Sequence, residues 1–169
     1  MKNKLTHTLL KGLDNKLGFQ RAQAHCDIPC KIYDPISAQL AALSVIRFLD
    51  LINEIDPASA SLADQAKLGR LVTEKETHAE KVKHEVRVIW GDYIKVPQKE
   101  KYPEIDTLVH SIMLTGSACK QHVGRDNGEK LLALVNEFSA AFWDTKGIET
   151  YTATCPYPPS MDVVYPKLG

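Results

Sequence analysis

The chain has 169 residues, enough for one domain with a real core, and its 21 Lys and Arg balance its 21 Asp and Glu to a formal net charge of zero. That balance gives no support for nucleic-acid binding, which asks for a basic face. Its four cysteines, two of them isolated, are not the framework of a small disulfide-rich secreted domain, and no apolar run is expected to approach the ~20 residues that cross a bilayer.

Residues 1–24 carry Lys2, Lys4, Lys11, Lys16 and Arg21 against a single acid, Asp14. Their apolar stretch is broken by Thr6, His7 and Thr8 and stops at Lys11. A secretory signal needs a continuous apolar stretch of about 7–15 residues. Ala22-Gln23-Ala24 does form a small-residue cleavage pattern. A cytoplasmic protein is the expectation, with export the lesser alternative.

The next segment, His25-Cys26-Asp27-Ile28-Pro29-Cys30-Lys31-Ile32-Tyr33-Asp34-Pro35, gathers an imidazole, two thiols and a phenol. Pro29 between the thiols forbids a regular helix. A non-helical Cys-x3-Cys segment can curl and aim both sulfurs at one centre. Asp34-Pro35 then reads as a helix start, with Asp as N-cap and Pro at the first helical position. This is a metal hook, residues 25–34, placed before a helical body. Thiolates and imidazole suit a late first-row metal, and tetragonal geometry points to nickel(II) or copper(II).

From Ile36 to Ile55 the apolar positions Ile36, Leu40, Leu43, Ile46, Leu49 and Ile52 repeat at helical spacing, and Asp56-Pro57 ends the run. A second helix is expected from Ser61, with Asp64 completing a capping box, to Trp90, with Gly91 near its stop. Pro97 to Pro103 reads as a loop. A third helix covers about Pro103 to Gln121, with Ile105, Leu108, Val109, Ile112 and Met113 inward. Asp126-Asn127-Gly128 reads as a turn. A fourth helix uses Leu131, Leu134, Val135, Phe138, Ala141 and Phe142. The fold class predicted is all-α: an up-down four-helix bundle over residues 35–146. Residues 147–169, rich in Pro and Tyr, form a non-helical C-terminal extension that covers its own bundle or crosses to a neighbour. Cys119 reads as a small buried apolar residue. Cys155 stays open between free thiol, inter-subunit contact and extra ligand. His84, His110 and His122 carry no pattern.

The stretch at 25–35 resembles the hook of the nickel superoxide dismutase family, roughly H-C-x-x-P-C-x-x-Y, at every fixed position. Trp90-Gly91-Asp92-Tyr93-Ile94-Lys95-Val96-Pro97, followed by Glu100-Lys101-Tyr102-Pro103, resembles the family's W-x-D-Y-x-K-x-P block and its E-K-Y-P sequel. Phe142-Trp143-Asp144-Thr145-Lys146 resembles the end of the family's last helix. Together these span His25 to Lys146.

The resemblance implies superoxide dismutation at a redox nickel. It implies that residues 1–24 are a leader removed by a dedicated protease at the Ala24–His25 bond. The freed amine of His25, the amide nitrogen of Cys26 and the thiolates of Cys26 and Cys30 would then form a square plane, with the His25 imidazole axial. Tyr33 would stand over the open face with Tyr93 as its partner, Lys95 would draw superoxide in, and Asp27 would orient the hook. The family's assembly is a hexamer, so a homohexamer is expected, with no nucleic acid and no membrane among its partners.

Three positions depart from the family pattern. Lys31 stands where the family usually has Gly. Ala41 falls at the place of a glutamate that supports the axial imidazole, and His78 at that of the arginine holding it. Losing both charges together is coherent, because either alone would be unpaired if buried. Two rivals follow: the same scaffold using copper, which raw affinity favours, and a non-catalytic metal-binding or delivery bundle.

Overall fold

The computed structural model describes residues 30–169. His25, Cys26 and Asp27, and the whole expected leader, lie outside the described residues. The chain divides into two units, Met1–Lys31 and Ile32–Gly169, and the second holds the fold.

Helix α1 runs Ile36–Asn53. The Asp34 carboxylate accepts the Ile36 N–H at 2.8 Å, and the Pro35 carbonyl accepts the N–H groups of Ala38 and Gln39, so Asp34-Pro35 does mark the helix start, but one residue later than expected: Pro35 is the N-cap and Ile36 the first helical residue. Leu43, Ile46, Leu49 and Ile52 are buried, but Leu40 is 44% exposed, contrary to expectation. The inward face is instead an alanine-rich stripe of Ala38, Ala41, Ala42 and Val45. Small side chains let neighbouring helices come close, and that geometry turns Leu40 outward. By length and composition α1 is apolar enough to cross a membrane, which corrects the expectation from the sequence; half of that stretch is buried inside the protein, as for a central helix.

Helix α2, Leu62–Asp92, begins at the predicted capping box. Asp64 N–H donates to the Ser61 hydroxyl at 3.2 Å, and Ser61 N–H to the Asp64 carboxylate at 3.0 Å. A short helix α3, Val96–Lys101, occupies the stretch expected to be a loop. Pro97 sits in its first turn, where a missing N–H costs nothing, and the Lys95 N–H donates to the Gln98 side chain at 3.0 Å.

Helix α4 is Ile105–Gln121 and helix α5 is Arg125–Thr145. The expected turn at Asp126-Asn127-Gly128 is the first turn of α5. Gly128 serves close packing rather than turning: a Cβ there would stand 2.9 Å from Ile46 Cγ1 and 3.0 Å from Leu49 Cδ1. Helix α1 packs on α2 and α5, and α4 packs on α2 and α5, which closes a four-helix ring. Each fully buried Leu or Phe in its core contributes about 1.5–3 kcal/mol.

The C-terminal extension is an antiparallel hairpin, β1 (Thr150–Thr154) and β2 (Asp162–Pro166), with Tyr151 opposite Tyr165. It lies on its own bundle. Asn136 of α5 donates to Asp162 O at 2.9 Å and accepts from Val164 N–H at 3.2 Å. The buried Gln39 amide donates to Val164 O at 2.8 Å and to Asn136 at 3.0 Å. Cys155 is a buried free thiol that donates to Tyr157 O. Cys119 is fully buried as predicted, and burial pushes its thiol up to about 11.

Candidate metal centre

An up-down bundle gathers at one end the start of α1, the close of α2, the start of α4 and the close of α5. Tyr33, Tyr93, Lys95, Thr145 and Lys146 come from three of these four places, though they are far apart in sequence.

Tyr33 precedes α1, outside any helix or strand, and Tyr93 is the C-cap of α2. Their ring centroids lie 6.0 Å apart at 44°, so the two tyrosines expected to be partners do meet. The Tyr93 ring meets Phe142 edge-on at 5.0 Å, and its hydroxyl is 2.8 Å from Thr145 Oγ1. The Lys146 ammonium sits 4.7 Å from the centre of the Tyr93 ring and 5.0 Å from that of Phe142. Lys146 and Thr145 stand in the stretch that carries the resemblance, yet sequence reasoning gave them no part. A lysine just after a helix is ordinary, and its seat on an aromatic face shows only in three dimensions.

Lys95 is exposed, and its ammonium donates to Gly91 O at 2.6 Å. That bond satisfies a carbonyl in the last turn of α2 and places the cation at the negative end of the helix. Trp90 serves a structural clip. Its indole donates to Asp106 at 2.7 Å, and Lys99 reaches the same carboxylate at 2.8 Å while lying 5.4 Å over the indole ring. The bonds from Lys99 and Trp90 hold the Asp106 carboxyl below its ordinary range.

The E-K-Y-P sequel has a similar purpose. The Tyr102 hydroxyl and the Lys101 ammonium both bind Asp144, near the end of α5. These bonds hold the Asp144 carboxyl low, while burial, with Asp144 second, raises the Tyr102 phenol to about 12.

At the two departures from the family pattern, Ala41 is buried and presents no polar group. His78 packs its ring 5.2 Å from Phe48, and its Nδ1 lies 2.8 Å from the carbonyl of Glu74 one turn earlier. His78 is thus engaged by its own helix and its packing.

Of the expected ligands, Cys30 alone falls among the described residues. It is exposed and in no disulfide, as a thiol open to a metal must be. The next residue, Lys31, adopts φ 59°, the left-handed region. Among the described residues no three of His, Cys, Asp or Glu stand together in a way that holds a metal ion. The donor set in the sequence, one imidazole and two thiols within residues 25–30, fits a late first-row metal.

Residues 20–146 match the family described as nickel-containing superoxide dismutase. The chain is 38% identical over 126 residues to the nickel superoxide dismutase of Streptomyces seoulensis, covering 75% of this chain and 91% of that one. It is 37% identical over 123 residues to that of Streptomyces coelicolor, covering 73% and 88%. Two solved structures, a native nickel superoxide dismutase and one with nickel ligation corresponding to the oxidised state, are each 36% identical with a TM-score of 0.65. Both comparisons cover 73% of this chain and 99% of the other. The hairpin lies beyond the stretch that the family match covers.

Proposed function

The chain belongs to the nickel-containing superoxide dismutase family, and on that premise we propose how its own residues serve the reaction. Its activity is the conversion of superoxide to dioxygen and hydrogen peroxide, with nickel as cofactor. Two superoxide anions and two protons are consumed for each pair of products. Nickel, when bound, supplies one-electron chemistry between its +2 and +3 states.

His25, Cys26 and Cys30 hold the metal. An exposed, unpaired Cys30 thiol supports this, as does the soft, nitrogen-containing donor set around it. The amine of His25 binds only as a free lone pair. While Ala24 is attached, that nitrogen is an amide whose lone pair is delocalised. The 1–24 leader therefore has to be removed by a protease before the site can form. Asp27 orients the hook.

Tyr33 and Tyr93 form the aromatic wall that bounds the substrate's approach, and they hold water while excluding larger anions. The observation that carries this is their meeting at 6.0 Å although the whole of helices α1 and α2 separates them in the sequence. Lys95 adds positive charge, which raises the encounter rate of an anion. Ala41 and His78 provide no Glu–Arg pair to brace an imidazole. The hook has few apolar residues with which to order itself, so a neighbouring subunit orders it, and the protein assembles as a homohexamer.

The test is metal content and superoxide turnover of protein beginning at His25, beside the uncleaved chain. Trimmed protein is expected to bind nickel tightly and turn over. The uncleaved chain, and trimmed protein carrying Cys26→Ser or Cys30→Ser, should do neither. Equal turnover by cleaved and uncleaved protein would remove the amine from the ligand set. A full nickel load with wild-type turnover in either serine variant would remove that thiolate.

A further inference from the structure

We propose that Thr145 and Lys146 are positioning residues that fix the proton and the ring of Tyr93, an inference that rests on the role given to Tyr93 above. A threonine hydroxyl has a single proton to donate. Thr145 spends it on the carbonyl of Phe142 at 2.6 Å, and a carbonyl has nothing to give back. The 2.8 Å contact between Thr145 Oγ1 and the Tyr93 hydroxyl therefore has Tyr93 as its donor. With its proton held on Thr145, the Tyr93 oxygen meets any water or hydroperoxide in front of it as an acceptor. Protons for the peroxide product come from another group, so the two tyrosines of the wall have unequal tasks.

Lys146 completes the clamp. Its ammonium lies over the Tyr93 face at 4.7 Å and the Phe142 face at 5.0 Å, while Phe142 meets Tyr93 edge-on. A cation shared by two ring faces penalises rotation of either ring away from it. All of these groups stand at the end of α5, so the helix that closes the bundle also sets the orientation of a residue delivered by α2.

The experiment uses nickel-loaded mature protein with ring-labelled tyrosine. Infrared difference spectra against Tyr93→Phe isolate the Tyr93 C–O stretch, which distinguishes a donating phenol from an accepting one, and NMR exchange measures its ring flips. The wild type should show a donor signature. Thr145→Val should lose it, and Thr145→Ser should restore it. Lys146→Met should speed ring flipping at least severalfold, and Lys146→Arg should slow it again. A Tyr93 that is not a donor in the wild type, or a signature unmoved by Thr145→Val, overturns the proton assignment. Flip rates unchanged in Lys146→Met overturn the clamp. Should Tyr93→Phe retain full turnover while these signatures behave as expected, the role of Tyr93 in the reaction fails and the positioning stands.

Discussion

The ammonium of Lys75 lies 3.0 Å from the carbonyl oxygen of His122, just past the end of helix α4. It also donates to Lys120 O at 2.9 Å, and the residue is only 2% exposed. A helix ends with carbonyls that have no partner of their own, and a cation there meets both the lone pairs and the negative end of the dipole. Burial holds the Lys75 ammonium below its ordinary pKa near 10.5, so charging it has a cost. Lys75→Met removes that cost but strands two carbonyls, and the stranded acceptors outweigh the relief. A loss of about 1–3 kcal/mol in urea unfolding is expected. An unchanged midpoint would mean that the two effects cancel. The sign with pH follows. Between its folded pKa and about 10.5 the unfolded chain binds the proton better, so this group's contribution to stability rises with pH there. That rise should be missing from Lys75→Met.

Gly128→Ala sets helix propensity against packing. Alanine gains about 1 kcal/mol over glycine inside a helix. Its Cβ, however, would press within 3.0 Å of the side chains of Ile46 and Leu49, and overpacking of a buried contact costs about 1–3 kcal/mol. Ile46 is fully buried and has little room to move, so a net loss of stability is expected. Thermal unfolding decides it; a raised midpoint would show that α1 and α5 can part without penalty.

These two cases show what the sequence carried and what it did not. Ser61 with Asp64 and Asp34 with Pro35 marked real helix starts, because capping is local chemistry written in adjacent residues. Asp126-Asn127-Gly128 has the same local vocabulary and misled, because tertiary packing against Ile46 claimed the glycine for the first turn of a helix. Leu40 fits the heptad-like repeat, but the alanines beside it decide which face turns inward. The hairpin escaped notice because Thr150–Thr154 lies mostly on the surface and has no apolar alternation; its anchor is the side chain of Asn136, in another element. The Tyr33–Tyr93 meeting was legible only through the family pattern. The Lys146 and Thr145 contacts were not legible at all, since a helix end becomes a neighbour of another helix end only once the bundle closes.

Tyr102→Phe should change the alkaline limb of stability. The phenol is raised to about 12 by burial and by Asp144, against about 10 in the unfolded chain. Its contribution is therefore fully present below pH ~10 and is lost as pH rises from about 10 to 12, where the unfolded state gives up the proton first. Wild-type stability should fall through that window, and the phenylalanine variant should fall less steeply. Chemical denaturation at a series of alkaline pH values makes the comparison; parallel slopes would sink the assignment.

The last prediction concerns the backbone beside the ligand Cys30. Lys31 holds φ 59°, a conformation that costs a non-glycine residue roughly 1 kcal/mol and a β-branched residue more. Lys31→Gly relieves that strain but gives the unfolded hook more freedom, and the two effects nearly offset. Lys31→Val adds crowding at Cβ with no compensation. In competition with a chelator, the glycine variant should hold nickel as tightly as the wild type or slightly better. The valine variant should hold it about tenfold more weakly, as a loss of about 1.4 kcal/mol requires. Both variants lose the same lysine charge, so any difference between them reports the backbone and not steering. Equal nickel affinity in the two would show that the left-handed turn after Cys30 has no part in shaping the hook.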